Sequence, residues 1–201
     1  MKIVFSNEGR TEKSPAIFID RDGVINCRRP DDYVLDFSQF VFMPGIRAAL
    51  KQLAILRLPI IVISNQAAVG KGLLDPAGLI EITERMQQAL REDGTMLTAA
   101  YYCTHRPDEK CICRKPKPEL LRKAAADFSI DLNRSIFIGD SQTDVEAAHA
   151  AGCKPILLGA GVRNGAGPDS IGWMNGLRVA HPQEIYGVVV KCLHELEFMQ
   201  A

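Results

Sequence analysis

The stretch AIFIDRDGVIN, residues 16–26, decides how the rest of the chain is read. It starts as an unbroken apolar run from Ala16 to Ile19, then turns abruptly into Asp-Arg-Asp-Gly. A short run that is apolar on both faces reads as a strand covered on both sides, as in a parallel sheet. The polar break at its carboxyl end falls where open α/β sheets bind their ligands.

The same pattern repeats along the chain. IIVIS (60–64), LTAAYYC (97–103), SIFIGD (135–140) and PILLG (155–159) read as further buried strands, with GLRVA (176–180) as a sixth. Between them lie segments of helical period. These are PGIRAALKQLAIL (44–56), DPAGLIEITERMQQALRED (75–93), KPELLRKAAADF (117–128) and SQTDVEAAHAAG (141–152), and HPQEIYGVVVKCLHELEF (181–198) closes the chain. Asp75 and Pro76 make a cap and first-turn pair, and Gly152 is a stop signal. Strict alternation of strand and helix predicts an α/β fold with a doubly wound, mostly parallel sheet. Residues 1–14 read as an N-terminal extension, loose or at a sheet edge after KIVF, and residues 15–201 as a single domain. The Gly-rich GAGVRNGAGPDS (159–170) reads as a loop, since it does not fit a dinucleotide fingerprint.

Bulk properties set limits. The 201 residues suit one domain, with 47% hydrophobic and 24% charged residues. Lys plus Arg balance Asp plus Glu at 24 each, and no basic block appears, which argues against nucleic acid as a partner. The most apolar stretch, AILRLPIIVIS (54–64), is broken by Arg57 and Pro59, so no membrane span is expected. With no signal-peptide core at the N-terminus, a cytoplasmic monomer with reduced thiols is expected. Cys27, Cys153 and Cys192 are scattered and read as buried thiols.

Collecting the residues just past each strand gives a chemically coherent set. Asp20, Arg21, Asp22 and Gly23 follow the first strand, and Ser64, Asn65 and Gln66 the second. Lys115 follows the third after a cysteine loop, and Asp140 and Asp144 follow the fourth. Carboxylates brought together repel, and a hard divalent cation such as Mg²⁺ neutralises them while accepting a phosphate. Asp20 can then act as nucleophile on phosphorus and Asp22 as general acid and base, with Ser64 and Lys115 on phosphate oxygens. Asp144 falls in a first helical turn, where a carboxylate is stabilised anyway, so it is expected behind the metal.

CTHRPDEKCICRKP (103–116) holds Cys103, His105, Cys111 and Cys113. These four ligands make a closed tetrahedral zinc set with no open position, so the expected zinc is structural. Its role would be to fix the exit that delivers Arg114 and Lys115.

FIDRDGVIN, VISNQ, CRKPKPELL and FIGDSQTD resemble, in order, the four motifs of the haloacid dehalogenase superfamily of Asp-dependent phosphohydrolases. The resemblance runs from about Ala16 to Gly161. CTH…CICRKP is similar to the zinc loop of the cap-less, histidinol-phosphatase-like branch. That resemblance implies Mg²⁺ held by Asp20, the Asp22 carbonyl and Asp140, with Arg114 reaching the substrate. It also implies a flap formed by CRRPDDYVLDF (27–37), where Arg28 and Arg29 would meet a second anionic group. Within the branch, DRDGVIN, MPGIRAALKQL and NQAAVGKG look more like its heptose-bisphosphate phosphatases, which remove a 7-phosphate, than its histidinol-phosphate phosphatases. Three departures stand out: Lys71 and Ser141 replace the branch's usual arginine and lysine, and KPELL its usual Pro-Gly-Met. Asn65, Lys71, Arg28 and Arg114 are the expected substrate contacts, and a small phosphorylated metabolite is the expected partner. A nucleic-acid end phosphatase and a catalytically silent phospho-ligand binder remain open alternatives on sequence alone.

Overall fold

The computed structural model describes residues 1–6, 12–29, 33–159 and 177–198. The strands are β1 (Lys2–Val4), β2 (Ile17–Ile19), β3 (Ile60–Asn65), β4 (Ala99–Cys103), β5 (Ile136–Gly139), β6 (Lys154–Leu158) and β7 (Leu177–Val179). The helices are α1 (Ile46–Ala54), α2 (Ala67–Gly70), α3 (Pro76–Glu92), α4 (Glu119–Phe128), α5 (Gln142–Ala151) and α6 (Ile185–Phe198). One sheet forms in the order β1-β4-β3-β2-β5-β6-β7. All its pairings are parallel except β1 with β4.

The pleat explains the apolar runs. Ile17, Ile19, Val62, Ala100 and Tyr102 face a core built with α1, α3 and α6. Their neighbours Phe18, Ile61, Ile63, Ala99, Tyr101 and Phe137 face a second core built with α4 and α5. A central strand with both faces covered has no polar position, which is why the sequence pattern there is a run and not an alternation. Asp75 caps α3 as expected, accepting from Gly78 N at 2.6 Å.

The structure adds detail to these readings. Of the two placements open to the N-terminal stretch, loose or edge, Lys2–Val4 takes the edge, as an antiparallel strand on β4. It is fastened by the Met1 ammonium on the Tyr102 carbonyl at 2.8 Å and by Lys2 on Asp127 at 2.9 Å. Cys153 and Cys192 are buried, but Cys27 is only half-buried, with its Sγ 3.8 Å from the Phe42 carbonyl. The short helix α2, within SNQAAVGKG, has too few residues to show a period. The Gly-rich loop, from residue 160 onward, lies outside the described residues.

The order of the strands positions the site. From β2 the chain moves through β3 to β4 on one side, then returns to place β5 on the other. The carboxyl ends of β2 and β5 therefore flank the point where the winding reverses, which opens a crevice.

Candidate active site

Asp20 stands at that reversal and keeps its own N–H on the Ile138 carbonyl at 2.9 Å, so it is held by the β5 ladder. The chain then folds back sharply. The Arg21 carbonyl accepts from Ile25 N at 2.8 Å and Asn26 N at 3.0 Å. Gly23 makes this turn with φ +96, and a Cβ there would lie 1.9 Å from Asp140 Oδ2. Only glycine lets the Asp140 carboxylate from β5 rest against the turn from β2.

Asp20, Asp140 and Asp144 offer carboxylate oxygens within 4.8 Å of one another. Lys115 enters among them from the cysteine loop. Its buried ammonium donates to the Ile63 carbonyl at 2.9 Å and pairs with Asp20 Oδ1 at 2.8 Å and Asp144 Oδ1 at 2.6 Å. Burial works to lower the Lys115 pKa, but Asp144 and Asp20 hold it above its ordinary value. Burial raises the Asp20 carboxyl to about 6, with Lys115 opposing and the charges of Asp144 and Asp22 adding to it. Burial likewise raises Asp140 to about 7, with Asp20's charge adding to the effect. One lysine does not neutralise this cluster, and a cation with oxygen preference answers the remaining charge. Asp144 faces backwards: its Oδ2 accepts from Asp140 N at 3.2 Å, Ser141 N at 3.1 Å and Ser141 Oγ at 2.6 Å, closing the first turn of α5.

Asp22 sits in a cage. Arg21 Nη2 donates to both its oxygens, at 2.9 and 3.1 Å. Asn26 Nδ2 donates to Oδ1 at 3.0 Å and Gln66 Nε2 to Oδ2 at 2.6 Å. Burial would raise the Asp22 pKa, but Arg21 and these hydrogen bonds outweigh it and hold the carboxyl below its ordinary value. This pose is the ionised, proton-accepting form. Gln66 also donates to Ser64 Oγ at 3.1 Å, tying the β3 rim to the acid/base residue.

The four expected substrate contacts are placed differently from one another. Arg28 reaches the carboxylates, with Nη2 2.8 Å from Asp140 Oδ1. The Arg114 Nη1 is buried and has no hydrogen-bond partner among the described residues. Asn65 holds the Lys115 main chain, accepting from Lys115 N at 3.1 Å and donating to the Lys115 carbonyl at 3.3 Å. Lys71 lies over the Tyr33 ring of the flap stretch, 5.2 Å from its centroid. Sequence reasoning collected Arg21 and Gln66 past their strands without giving them a role, and missed Asn26. Arg21 and Gln66 were visible beside the motif aspartate and serine, but nothing local shows that they converge on Asp22.

The cysteine loop fits a tetrahedral ion. Cys103 and Cys111 Sγ lie 3.5 Å apart, and Cys111 and Cys113 Sγ 3.7 Å apart. His105 Nδ1 lies 3.7 Å from Cys103 Sγ and 3.2 Å from Cys113 Sγ. A zinc with arms of about 2.3 Å to sulfur and about 2.0 Å to nitrogen implies edges of about 3.8 and 3.5 Å. Gly70 at the end of α2 backs this loop so closely that a Cβ would be 2.5 Å from the Thr104 carbonyl.

Comparison with known proteins agrees with this geometry. A HAD-hydrolase-like family profile matches residues 112–170. The D-glycero-beta-D-manno-heptose-1,7-bisphosphate 7-phosphatase of Pseudomonas aeruginosa is 37% identical over 149 residues, 73% of this chain and 83% of its own length. The D-glycero-alpha-D-manno-heptose-1,7-bisphosphate 7-phosphatase of Mycobacterium bovis is 35% identical over 177 residues, 82% of this chain and 91% of its own. The crystal structure of the D,D-heptose 1,7-bisphosphate phosphatase from B. bronchiseptica, complexed with magnesium and phosphate, superposes with TM-score 0.77 at 29% identity, covering 88% of this chain and 98% of that one.

Proposed function

Because the chain belongs to the haloacid-dehalogenase-like hydrolases and is a phosphatase, we propose that it removes the 7-phosphate of D-glycero-D-manno-heptose 1,7-bisphosphate through an aspartyl-phosphate on Asp20. The observation that carries this reading is the juxtaposition of the Asp20 carboxylate, paired with Lys115 at 2.8 Å, and the caged Asp22 two residues on.

Asp20 attacks phosphorus with one carboxylate oxygen, and the phosphate–sugar oxygen bond breaks. The leaving sugar oxygen takes the proton that Asp22 retained from the water of the preceding turnover. Asp22, again ionised in the cage of Arg21, Asn26 and Gln66, then takes a proton from water. That water attacks the phosphorus of the acyl phosphate, freeing Asp20 and inorganic phosphate. Lys115 holds the nucleophile in place, and Arg114, whose Nη1 has no hydrogen-bond partner among the described residues, is assigned to a phosphate oxygen. Mg²⁺, for which Asp20, Asp140 and the Asp22 carbonyl are the fitting ligands, supplies charge neutralisation between nucleophile and phosphate when bound. Zinc, for which Cys103, His105, Cys111 and Cys113 are the fitting ligands, braces the loop that ends in Arg114 and Lys115. Among the described residues no helix is long and apolar enough to cross a membrane. A reducing compartment suits the free thiols.

The test is kcat/KM for both anomers of the heptose bisphosphate against histidinol phosphate, with Mg²⁺ present. A preference of at least tenfold for one heptose anomer is expected. Equal or better turnover of histidinol phosphate overturns the substrate assignment. Asp20→Asn, checked by circular dichroism for its fold, should release no phosphate; full turnover overturns the aspartyl-phosphate route.

A further inference from the structure

Two cations serve the carboxylate cluster, and they are attached in opposite ways. The Lys115 ammonium is buried and commits its bonds to the Ile63 carbonyl, Asp20 and Asp144. It cannot leave without breaking all of them. The Arg28 side chain is 50% exposed, arrives from the flap stretch, and holds by one short bond, Nη2 to Asp140 Oδ1 at 2.8 Å. The same nitrogen lies 3.5 Å from the Asp22 carbonyl.

Those two oxygens are two of the three that fit Mg²⁺. A Mg²⁺ ion binds oxygen at about 2.0–2.1 Å in an octahedron, which leaves no space for a guanidinium nitrogen on the same pair. Asp140 has little freedom to turn and serve both cations at once, because its Oδ2 packs closely against Gly23.

We infer that Arg28 is a displaceable internal counter-ion: it occupies the Asp140 and Asp22-carbonyl oxygens until the metal takes them, and is thereby released to face the phosphorylated substrate. The release turns one binding event into two contacts, a metal ion and a free arginine fork, at the same rim. An arginine suits both duties, since its planar fork fits carboxylate and phosphate alike. Metal and phosphate then bind cooperatively, because the metal removes the competitor for Arg28's attention. The second half of the inference rests on the phosphatase reading; the first half does not.

The experiment is calorimetric titration of Mg²⁺ into full-length protein with the zinc retained and no substrate present, for wild type, Arg28→Gln and Arg29→Gln. Arg29 carries the same charge one residue on, and its charge acts on Asp36. Losing a half-exposed competing ion pair corresponds to roughly fivefold tighter Mg²⁺ binding in Arg28→Gln. Arg29→Gln should change affinity less than twofold. Inorganic phosphate, titrated at saturating Mg²⁺, should bind Arg28→Gln roughly tenfold more weakly. Unchanged or weaker Mg²⁺ binding in Arg28→Gln overturns the competition, and equal tightening in Arg29→Gln overturns it in favour of a long-range field. Unchanged phosphate binding overturns the release step. None of these titrations needs turnover, so failure of the proposed substrate or mechanism reads out separately.

Discussion

Lys115→Met is the sharpest perturbation of this site. The substitution keeps an unbranched stem of similar length and removes the ammonium with its contacts to Ile63, Asp20 and Asp144. What remains is a pair of nearly solvent-free carboxylates, 7% and 2% exposed, with no fixed cation between them. Removing one partner of a buried ion pair costs about 3–5 kcal/mol. Asp144 keeps its three donors from Asp140 and Ser141, which places the expected loss near the lower end, about 3 kcal/mol at pH 7.5 without Mg²⁺. The loss should shrink on acidification. Asp20 already titrates at about 6 with the lysine present. Without the lysine its folded pKa rises further, so a proton neutralises it in the folded state at pH 5.5, and each unit of that rise is about 1.4 kcal/mol. Urea unfolding followed by circular dichroism at both pH values measures the difference. In Mg²⁺, phosphate release should fall roughly 10²–10³-fold, as for loss of one donor at a charged transition state. A stability loss below about 1 kcal/mol that does not change with pH would refute the claim that this ammonium is the fixed counter-ion of the carboxylates.

The remaining predictions follow from the same geometry. Asp20 at about 6 and Asp140 at about 7 both lie above the unfolded carboxylate value of about 3.9, so the stability linked to them is complete below pH 4 and is lost as pH rises through 6 to 7. Mg²⁺ should restore what is lost, so the Mg²⁺-induced rise in Tm should grow from pH 5 to pH 7.5; a constant rise contradicts the assignment. Elemental analysis should find about one zinc per chain, and Cys103→Ser should lose it, lower kcat and raise KM. Two disulfides and no zinc would rule out the metal staple. Asn65→Leu should lower kcat at least tenfold and cost about 1–3 kcal/mol in urea unfolding, by freeing the Lys115 main chain from its two bonds; unchanged kcat would show that Lys115 is positioned without it.

What the sequence made legible, and what it hid, divides along one physical line. Strand runs such as IIVIS and the ends that follow them are dictated locally, because a strand buried on both faces admits no polar residue until it leaves the sheet. Asp20, Ser64 and Asp140 were therefore visible as departures from their own neighbours. The zinc ligands were visible for a related reason, since the loop must carry its whole coordination set within residues 103–113. The cage around Asp22 offered no such signal. Its members come from one, four and 44 residues away, and each is an ordinary polar residue until the turn at Gly23 and the end of β3 meet. Asn65 shows the same limit in reverse. Its position past β3 suited a ligand contact, and only the arrival of the cysteine loop, 50 residues on, assigns its amide to the Lys115 backbone. That bond changes the meaning of the zinc loop. Zinc would fix the loop to the end of β4 through Cys103; Asn65 and the close approach at Gly70 fix it to β3 and α2 as well. A lysine placed to within a hydrogen bond of Asp20 needs both anchors, so zinc loss and Asn65 substitution should impair the same step, and together they should cost less than the sum of their separate effects.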